Sequence, residues 1–262
     1  MLALLHSLGG CGGTLAAQCL GGMPGAVVLS ETNPRSASLF DRALNPYVQL
    51  REWYPKVFRA LSGRFTAEKM SDTEAFGEFI EELYRATRAG DGYLVIRDYN
   101  YVDYLGVPFV ERPQMDSSLL SALRGRITRR SAVLLRHPLR QFLSLRSHRA
   151  LSVLTPEMFV RGYSAFLDDF AWAYVVKYEQ LVAGPQLIMA TLCGYYGIPF
   201  SLEAVDRHHE YRFVTGQYSR ISEAAIEFSQ RPYDDAAANE LEAVEGYHTL
   251  LERMGYSASA TA

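Results

Sequence analysis

A glycine-rich turn near the N-terminus constrains the fold of this chain more than any other feature. Residues 7–14 read Ser-Leu-Gly-Gly-Cys-Gly-Gly-Thr, and they lie between a short apolar run, Leu2–Leu5, and an apolar stretch typical of a helix. A second apolar run, Ala26–Leu29, follows Pro24 and Gly25. A strand, a helix and a second strand in this order form a parallel pair with a right-handed crossover, so the first thirty residues predict an α/β domain.

The rest of the chain continues this alternation. Between residues 36 and 90, apolar side chains recur at helical spacing among charged ones. Pro138 fits the first turn of a helix that continues to about residue 149, and Gly197 can end a helix that begins at Pro185. Three further apolar runs have the length of buried strands, at Tyr93–Arg97, Ser131–Leu135 and Ala173–Lys177.

The composition excludes several classes of protein. The chain has 262 residues, of which 48% are apolar and 21% charged, and its net charge is −3. These values are typical of a globular protein and rule out a disordered, collagen-like or coiled-coil chain. The charge creates no basic field that would attract nucleic acid or an anionic membrane. Of the 26 basic residues only Lys56, Lys69 and Lys177 are lysine, and arginine binds phosphate and sulfate through a planar fork of donors.

The cysteines and the N-terminus bear on localisation. Cys11, Cys19 and Cys193 are an odd number without metal-ligand spacing, which favours a reducing compartment over a disulfide framework. We find no basic leader and no apolar run long enough for a signal peptide or a membrane span. We therefore expect a cytoplasmic protein with neither a membrane nor a nucleic-acid partner. Its oligomeric state stays open, a homo-oligomer included.

The glycine-rich turn has the composition of an anion site. Glycines let backbone N–H groups approach an anion, and the N-terminus of the following helix adds its positive dipole end. Thr14 can donate its hydroxyl to the same anion. The turn is not a complete nucleoside-triphosphatase loop, because Gly13 precedes Thr14 where that loop has lysine. The alternative is a merely flexible turn whose small residues allow tight packing of helix on strand.

A second anion site is predicted after the fourth strand. Arg136 follows that strand directly, and Ser144 lies about two turns along a helix that begins at Pro138. The two side chains can converge on one phosphate. Alternatively, Arg136 pairs with a surface carboxylate and Ser144 faces solvent.

Three segments in this order resemble the sulfotransferase superfamily. Residues 9–15, GGCGGTL, look like its 5′-phosphosulfate loop, and residues 136–144, RHPLRQFLS, look like its 3′-phosphate motif. Residues 175–200, which begin VVKYEQL and end GIPF, are similar to its Tyr-Glu-Asp-Leu segment, the helix after it and its Gly-Ile/Leu-Pro ending. The resemblance covers most of residues 1–200 and weakens between 36 and 90.

The resemblance implies a P-loop NTPase-like three-layer sandwich, with a central, mostly parallel sheet flanked by helices in a single domain over residues 1–262. A largely helical insertion around residues 36–92 would shape the acceptor site, and the C-terminal region would be helical. The implied reaction moves the sulfuryl group of 3′-phosphoadenosine 5′-phosphosulfate (PAPS) to a hydroxyl or amine of a small-molecule acceptor, without a metal. The product nucleotide is 3′-phosphoadenosine 5′-phosphate (PAP).

The same resemblance implies which residues bind the nucleotide. Arg136 and Ser144 would hold the 3′-phosphate. Gly216 and Arg220 lie in a segment, residues 208–222, that resembles one that closes over the nucleotide. The residues of the turn that would hold the 5′-phosphosulfate are Gly10, Cys11, Gly12, Gly13, Thr14 and Leu15.

One position departs from the family's pattern. The family usually has lysine or arginine at the position of Gly10, where the cation stabilises the bridging oxygen as it leaves. Arg97, at the end of the third strand, matches a place where some relatives have a second catalytic lysine, and we expect it to supply the missing charge. The alternative is that Arg97 only pairs with Asp98 or Asp103.

Two residues are candidates for the base that deprotonates the acceptor. Glu31 follows the second strand directly, at the sheet edge where such folds bind ligands. It lies 21 residues after Gly10, the spacing from loop cation to general base in the protein-tyrosine sulfotransferases that it resembles. Alternatively, Glu31 caps a helix. His6, at the end of the first strand, is the second candidate, unless it is simply hydrogen-bonded into the turn.

The sequence leaves two other functions open, and it does not specify the acceptor. A P-loop small-molecule kinase would need a loop lysine and a magnesium ligand, and neither is visible. A catalytically inactive nucleotide-binding relative is supported by Gly10.

Overall fold

Five parallel strands form a sheet at the centre of the computed structural model, which describes residues 1–38, 42–106, 109–148, 151–216, 226 and 234–257. The strand order is β2-β3-β1-β4-β5, and every pair is parallel. The strands are β1 (Leu2–His6), β2 (Ala26–Thr32), β3 (Tyr93–Asp98), β4 (Arg129–Leu135) and β5 (Tyr174–Lys177). The predicted α/β class with a central parallel sheet is confirmed, and all five predicted strands are present.

Helices cover both faces of this sheet. The helices are α1 (Gly13–Gly21), α2 (Pro46–Trp53), α3 (Pro55–Phe58), α4 (Thr73–Ala89), α5 (Tyr101–Tyr104), α6 (Ser118–Ala122), α7 (Pro138–Arg146), α8 (Pro156–Asp169), α9 (Tyr178–Ala183), α10 (Pro185–Tyr196), α11 (Leu202–Asp206), α12 (Asp235–Glu242) and α13 (Tyr247–Arg253). Short 3₁₀ turns occupy Ser36–Ser38, Arg42–Leu44, Glu68–Ser71 and His208–Glu210. None of the helices in the described ranges combines the length and the apolar character that crossing a bilayer requires.

The alternation of side chains along the strands produces the three layers. Successive residues of a strand point to opposite faces, and the strands of this sheet are apolar on both. On β1, Ala3 and Leu5 pack under α1 and α10, whereas Leu2 and Leu4 pack under α2, α4 and α6. A third cluster lies over β4 and contains residues of α7, α8, α12 and α13.

Local signals set the ends of the helices around the site. Helix α7 begins at Pro138, where the missing N–H of proline costs no helical hydrogen bond. Helix α10 ends at Gly197, whose φ of 72° is the left-handed conformation that glycine adopts without strain. Both ends agree with the sequence prediction.

Candidate active site

A cavity of about 370 Å³ lies at the carboxyl ends of the strands, within the size range of small-molecule sites. All five strands contribute to its lining, at or just beyond their carboxyl ends. Each strand can be represented by one lining residue: Gly9 after β1, Glu31 in β2, Arg97 in β3, Arg136 after β4 and Tyr178 after β5. Open parallel sheets bind ligands at this edge.

The glycine-rich turn forms one wall of the cavity. Gly9, Gly10 and Gly12 have φ values of 74°, 68° and 81°, which side chains rarely tolerate. A Cβ atom at Gly12 would lie 2.8 Å from the ring of Tyr178, and one at Gly13 would lie 2.9 Å from Nε of Arg97. No side chain caps α1 at Gly12, so the first N–H groups of α1 can bind an anion. The turn is therefore a tightly packed cradle and not merely a flexible connection.

Buried side chains brace this turn from below. The Gln141 amide donates to the Gly9 carbonyl at 2.7 Å and to Cys11 Sγ at 3.1 Å, and it accepts from the hydroxyl of Tyr163 at 2.9 Å. Burial raises the pKa of the Cys11 thiol to about 12. Cys11 thus contributes a neutral, structural side chain and does not line the cavity, although its neighbours on both sides do.

The second predicted anion site opens into the same cavity. Arg136 donates through Nη1 to the carbonyl of Gly10 at 2.9 Å, and its guanidinium lies 4.5 Å from the ring centroid of Tyr178. Ser144 lines the cavity from α7, and its Oγ lies 3.6 Å from where a Cβ atom of Gly10 would be. Arg136 is buried, and its guanidinium faces the turn and the ring of Tyr178. The structure therefore brings the turn, Arg136 and Ser144 together.

The third motif supports the other two. Glu179 accepts the backbone N–H of His137 at 3.0 Å, which fixes the start of α7, and the hydroxyl of Tyr256 at 2.6 Å. Its neighbour Tyr178 contacts both Arg136 and the turn at Gly12. Sequence reasoning identified this motif but did not assign Tyr178 to the site, although its place beside a predicted strand end was a usable signal.

Arg97 and Glu31 form an ion pair beside the turn. Arg97 Nη2 donates to Glu31 Oε1 at 2.7 Å, while Nη1 donates to the Thr215 carbonyl at 2.9 Å and to Ser30 Oγ at 3.2 Å. Arg97 thus pairs with Glu31 and not with either of the aspartates expected as alternatives. Its Nε is buried and has no hydrogen-bond partner within the described ranges, and it lies under Gly13. Because Arg97 also lines the cavity, its guanidinium places a positive charge beside the cradle.

Glu31 occupies an irregular position in its strand. Its φ is 55°, in the left-handed region, and the pairing of β2 with β3 shifts register between Ser30 and Thr32. A non-glycine residue in this conformation costs free energy and marks candidate functional positions. Glu31 lines the cavity as part of β2, so the alternative that it caps a helix does not hold.

A segment ending at Gly216 crosses the start of α1. The Thr215 carbonyl accepts a hydrogen bond from Arg97. Thr215 in turn donates to Ser30, through its N–H to Ser30 Oγ at 3.1 Å and through its hydroxyl to the Ser30 carbonyl at 3.1 Å. Gly216 has a φ of 131°, and a Cβ atom there would lie 2.5 Å from Oγ1 of Thr14. Ser30 and Thr215 lie 185 positions apart, and no sequence signal linked them. Arg220 lies outside the described residues.

His6 is close to the site but does not reach the cavity. Its Nδ1 lies 3.0 Å from Asp98 Oδ2 and its Nε2 lies 3.1 Å from Ser131 Oγ, and the ring is fully buried. The order serine, histidine, aspartate is that of a hydrolase triad. All three side chains are buried, so this arrangement joins β1, β3 and β4 and offers no base to a ligand. The structure thus does not place His6 where a base is needed.

Comparisons with known proteins bear on the fold. No protein-family model and no curated protein matches the sequence. The sulfotransferase domain of the curacin biosynthetic pathway has a similar structure, with a TM-score of 0.62 and 15% identity over 98% of each chain. The sulfotransferase domain of the Synechococcus PCC 7002 olefin synthase gives a TM-score of 0.62 and 17% identity over 98% of this chain and 94% of that one.

A third similar structure is a sulfotransferase from Alicyclobacillus acidocaldarius, with a TM-score of 0.50 and 13% identity over 98% and 97% of the two chains. In all three cases the similarity covers nearly the whole of both chains. The chain therefore has the fold of solved sulfotransferases, as its three motifs predicted.

Proposed function

We propose that this protein is a sulfotransferase that transfers the sulfuryl group of PAPS to a small-molecule acceptor. The observation that carries the proposal is that Arg136 and Ser144 line the same cavity as Thr14 and the glycine-rich turn. Two anion sites in one cavity suit a nucleotide with phosphate groups at both its 5′ and 3′ positions. The shared fold supports the same activity.

The nucleotide would lie across the cavity from the turn to α7. The turn, from Gly10 to Leu15, would hold the 5′-phosphosulfate, and Arg136 with Ser144 would hold the 3′-phosphate. Gly216 would cover Thr14 from the opposite side. The adenine ring would contact other lining residues, which are Gln18 of α1, Val182 of α9 and His208.

The transfer step requires a base for the acceptor and positive charge for the leaving group. The acceptor oxygen forms a bond to sulfur while the bond between sulfur and the bridging oxygen breaks, and the electron pair stays on that oxygen. We assign to the carboxylate of Glu31 the role of the base that takes the proton from the acceptor hydroxyl. We assign stabilisation of the leaving oxygen to Arg97, whose unpartnered Nε lies under the cradle and replaces the cation absent at Gly10.

A thermal-shift measurement with matched nucleotides tests this function. At 100 times its Kd, PAP should add about 2.7 kcal/mol to the stability of the ligand-free protein. Adenosine 5′-phosphate at the same concentration should add much less. Arg136→Ala should remove the preference for the 3′-phosphate, whereas Arg124→Ala, at an exposed arginine before β4, should keep it. Equal stabilisation of the wild-type protein by both nucleotides would contradict the proposal.

One alternative retains support from a specific residue. Because Gly10 lacks the usual cation, a nucleotide-binding protein without transferase activity fits the same cavity. Tight PAP binding, with neither transfer nor hydrolysis of PAPS, would identify that case. ATP turnover without sulfuryl transfer would instead indicate a kinase.

A further inference from the structure

The cavity has two chemically different ends. Among the described lining residues, the formal charges of aspartate, glutamate, lysine and arginine are confined to Glu31, Arg97 and Arg136. Beyond Gly9 the described lining is mainly apolar, and its polar atoms are the phenol oxygens of Tyr99 and Tyr101 and the ring nitrogens of His148. We call this part the aromatic wall, and it consists of Tyr99, Tyr101, Phe109, Leu145 and Leu151.

The aromatic wall is one continuous surface that begins at the glycine-rich turn. A Cβ atom at Gly9 would lie 3.3 Å from Leu145 and 3.6 Å from the Tyr101 ring. The ring centroids of Tyr99, Tyr101 and Phe109 lie 6.1 to 6.5 Å apart, in contact as stacked, tilted and edge-on pairs. A molecule held against this wall would therefore lie directly beside the phosphosulfate cradle.

The wall is also electrically neutral and firmly supported. Its residues belong to, or pack against, the hydrophobic cluster over β4 that contains α7 and α8. Burial raises the pKa of Tyr101, so its phenol stays protonated at neutral pH. The described part of the insertion at residues 36–92 contributes no lining residue, so it offers no polar surface to an acceptor in this cavity.

We propose that the aromatic wall binds the acceptor and that the acceptor is an uncharged, apolar alcohol or phenol. The inference rests on the proposed function and specifies its substrate class. A sugar or an acid against this wall would lose many hydrogen bonds to water and find only the two phenol hydroxyls in return, whereas an apolar body gains free energy from burial. The hydroxyl of such an acceptor would face Glu31, which takes its proton as the oxygen bonds to sulfur and the bridging oxygen leaves with the electron pair.

Titration calorimetry with PAP-saturated protein tests the acceptor class without requiring turnover. The ligands are 2-naphthol, the anionic phenol 4-hydroxybenzoate, and the polar amino sugar glucosamine. We expect 2-naphthol to bind at least ten times more tightly than either of the others. Phe109→Ala should weaken 2-naphthol about tenfold, because it removes an apolar contact of the wall. The matched change Phe200→Ala, at an exposed phenylalanine outside the cavity, should leave the Kd unchanged.

The outcomes separate this inference from the proposed function. The acceptor class is wrong if the protein binds PAP but prefers glucosamine or 4-hydroxybenzoate, or does not bind 2-naphthol. Either result would leave the sulfotransferase proposal intact. An equal loss of 2-naphthol affinity in Phe109→Ala and Phe200→Ala would also overturn it. Failure of PAP to bind the wild-type protein would instead contradict the proposed function.

Discussion

The two sides of the cavity are held in place by different kinds of interaction. On the side of the glycine-rich turn, backbone and aromatic ring are packed together, and Tyr178 touches Gly12 and Arg136 at once. On the side of β2 and β3, buried polar groups hold one another through hydrogen bonds. The packed side depends on shape, whereas the polar side depends on charge and protonation.

The polar side is a network centred on two aspartates. Asn33 donates through Nδ2 to Asp98 at 3.1 Å and to Asp103 at 2.9 Å, and Ser118 donates to Asp103 through both its N–H and its hydroxyl. Burial, reinforced by the nearby charge of Asp98, raises the pKa of Asp103 to about 7. The hydrogen bonds that Asp103 accepts from Asn33 and Ser118 oppose this rise in its pKa. Substitutions on the packed side should therefore disturb nucleotide binding by changing shape. Substitutions on the polar side should instead change how stability depends on pH.

The largest effect, a loss of reaction rate, is expected from a substitution of Arg97, where the two sides of the cavity meet. Arg97→Lys keeps a positive charge beside Glu31 but loses the guanidinium Nε under Gly13, so hydrolysis of PAPS to PAP and sulfate should slow by about 10²-fold or more. Chromatography of the nucleotides measures this rate without an acceptor. The matched control is Arg129→Lys, a second arginine with a buried, unpartnered Nε that lies outside the cavity. An unchanged rate in Arg97→Lys would mean that Arg97 only neutralises Glu31.

A smaller effect is expected from Gly12→Ala, which tests the packed side. Its Cβ atom would collide with Tyr178 at 2.8 Å, and its φ of 81° adds about 1–2 kcal/mol of strain. We expect a lower melting temperature and loss of the shift that PAP produces. Gly125→Ala is the matched control, because its φ is 72° but nothing lies within 4 Å of its Cβ position. If both variants keep the PAP shift, the packing of the turn does not set nucleotide affinity.

The smallest effect is a change in pH dependence on the polar side. Between the usual pKa of 3.8 and about 7, Asp103 keeps a proton in the folded state that the unfolded chain releases, so this group destabilises the fold as pH rises through that range. Its contribution is at most about 1.4 kcal/mol per pH unit. Asp103→Asn should reduce the fall in melting temperature from pH 5 to pH 7, whereas Asp116→Asn, at an exposed position, should not. If the melting temperature of Asp103→Asn falls as much between pH 5 and pH 7 as that of the wild-type protein, Asp103 is not the source of this pH dependence.

Short-range patterns account for what the sequence predicted well. Strand ends, the start of α7 and the end of α10 follow from apolar runs, Pro138 and Gly197, which act on their own neighbours. The cavity also follows, because the carboxyl ends of parallel strands share one edge. Glu31 and Arg97 could be placed there for that reason alone.

The remaining features depend on strand order, which local patterns do not encode. Because β1 lies between β3 and β4, His6 meets Asp98 on one side and Ser131 on the other and is sealed inside the sheet. The link between Ser30 and Thr215 joins two distant segments in the same way. The insertion at residues 36–92 packs on the outer face of the sheet, so its expected role at the acceptor site stays a prediction.

The ring of Tyr178 has a consequence for nucleotide choice. Because Tyr178 packs against Gly12 and Arg136, and Arg136 donates directly to Gly10, the distance between the two proposed phosphate sites is fixed by packing and not by the reach of flexible side chains. Discrimination between cellular adenine nucleotides would then be a matter of molecular length.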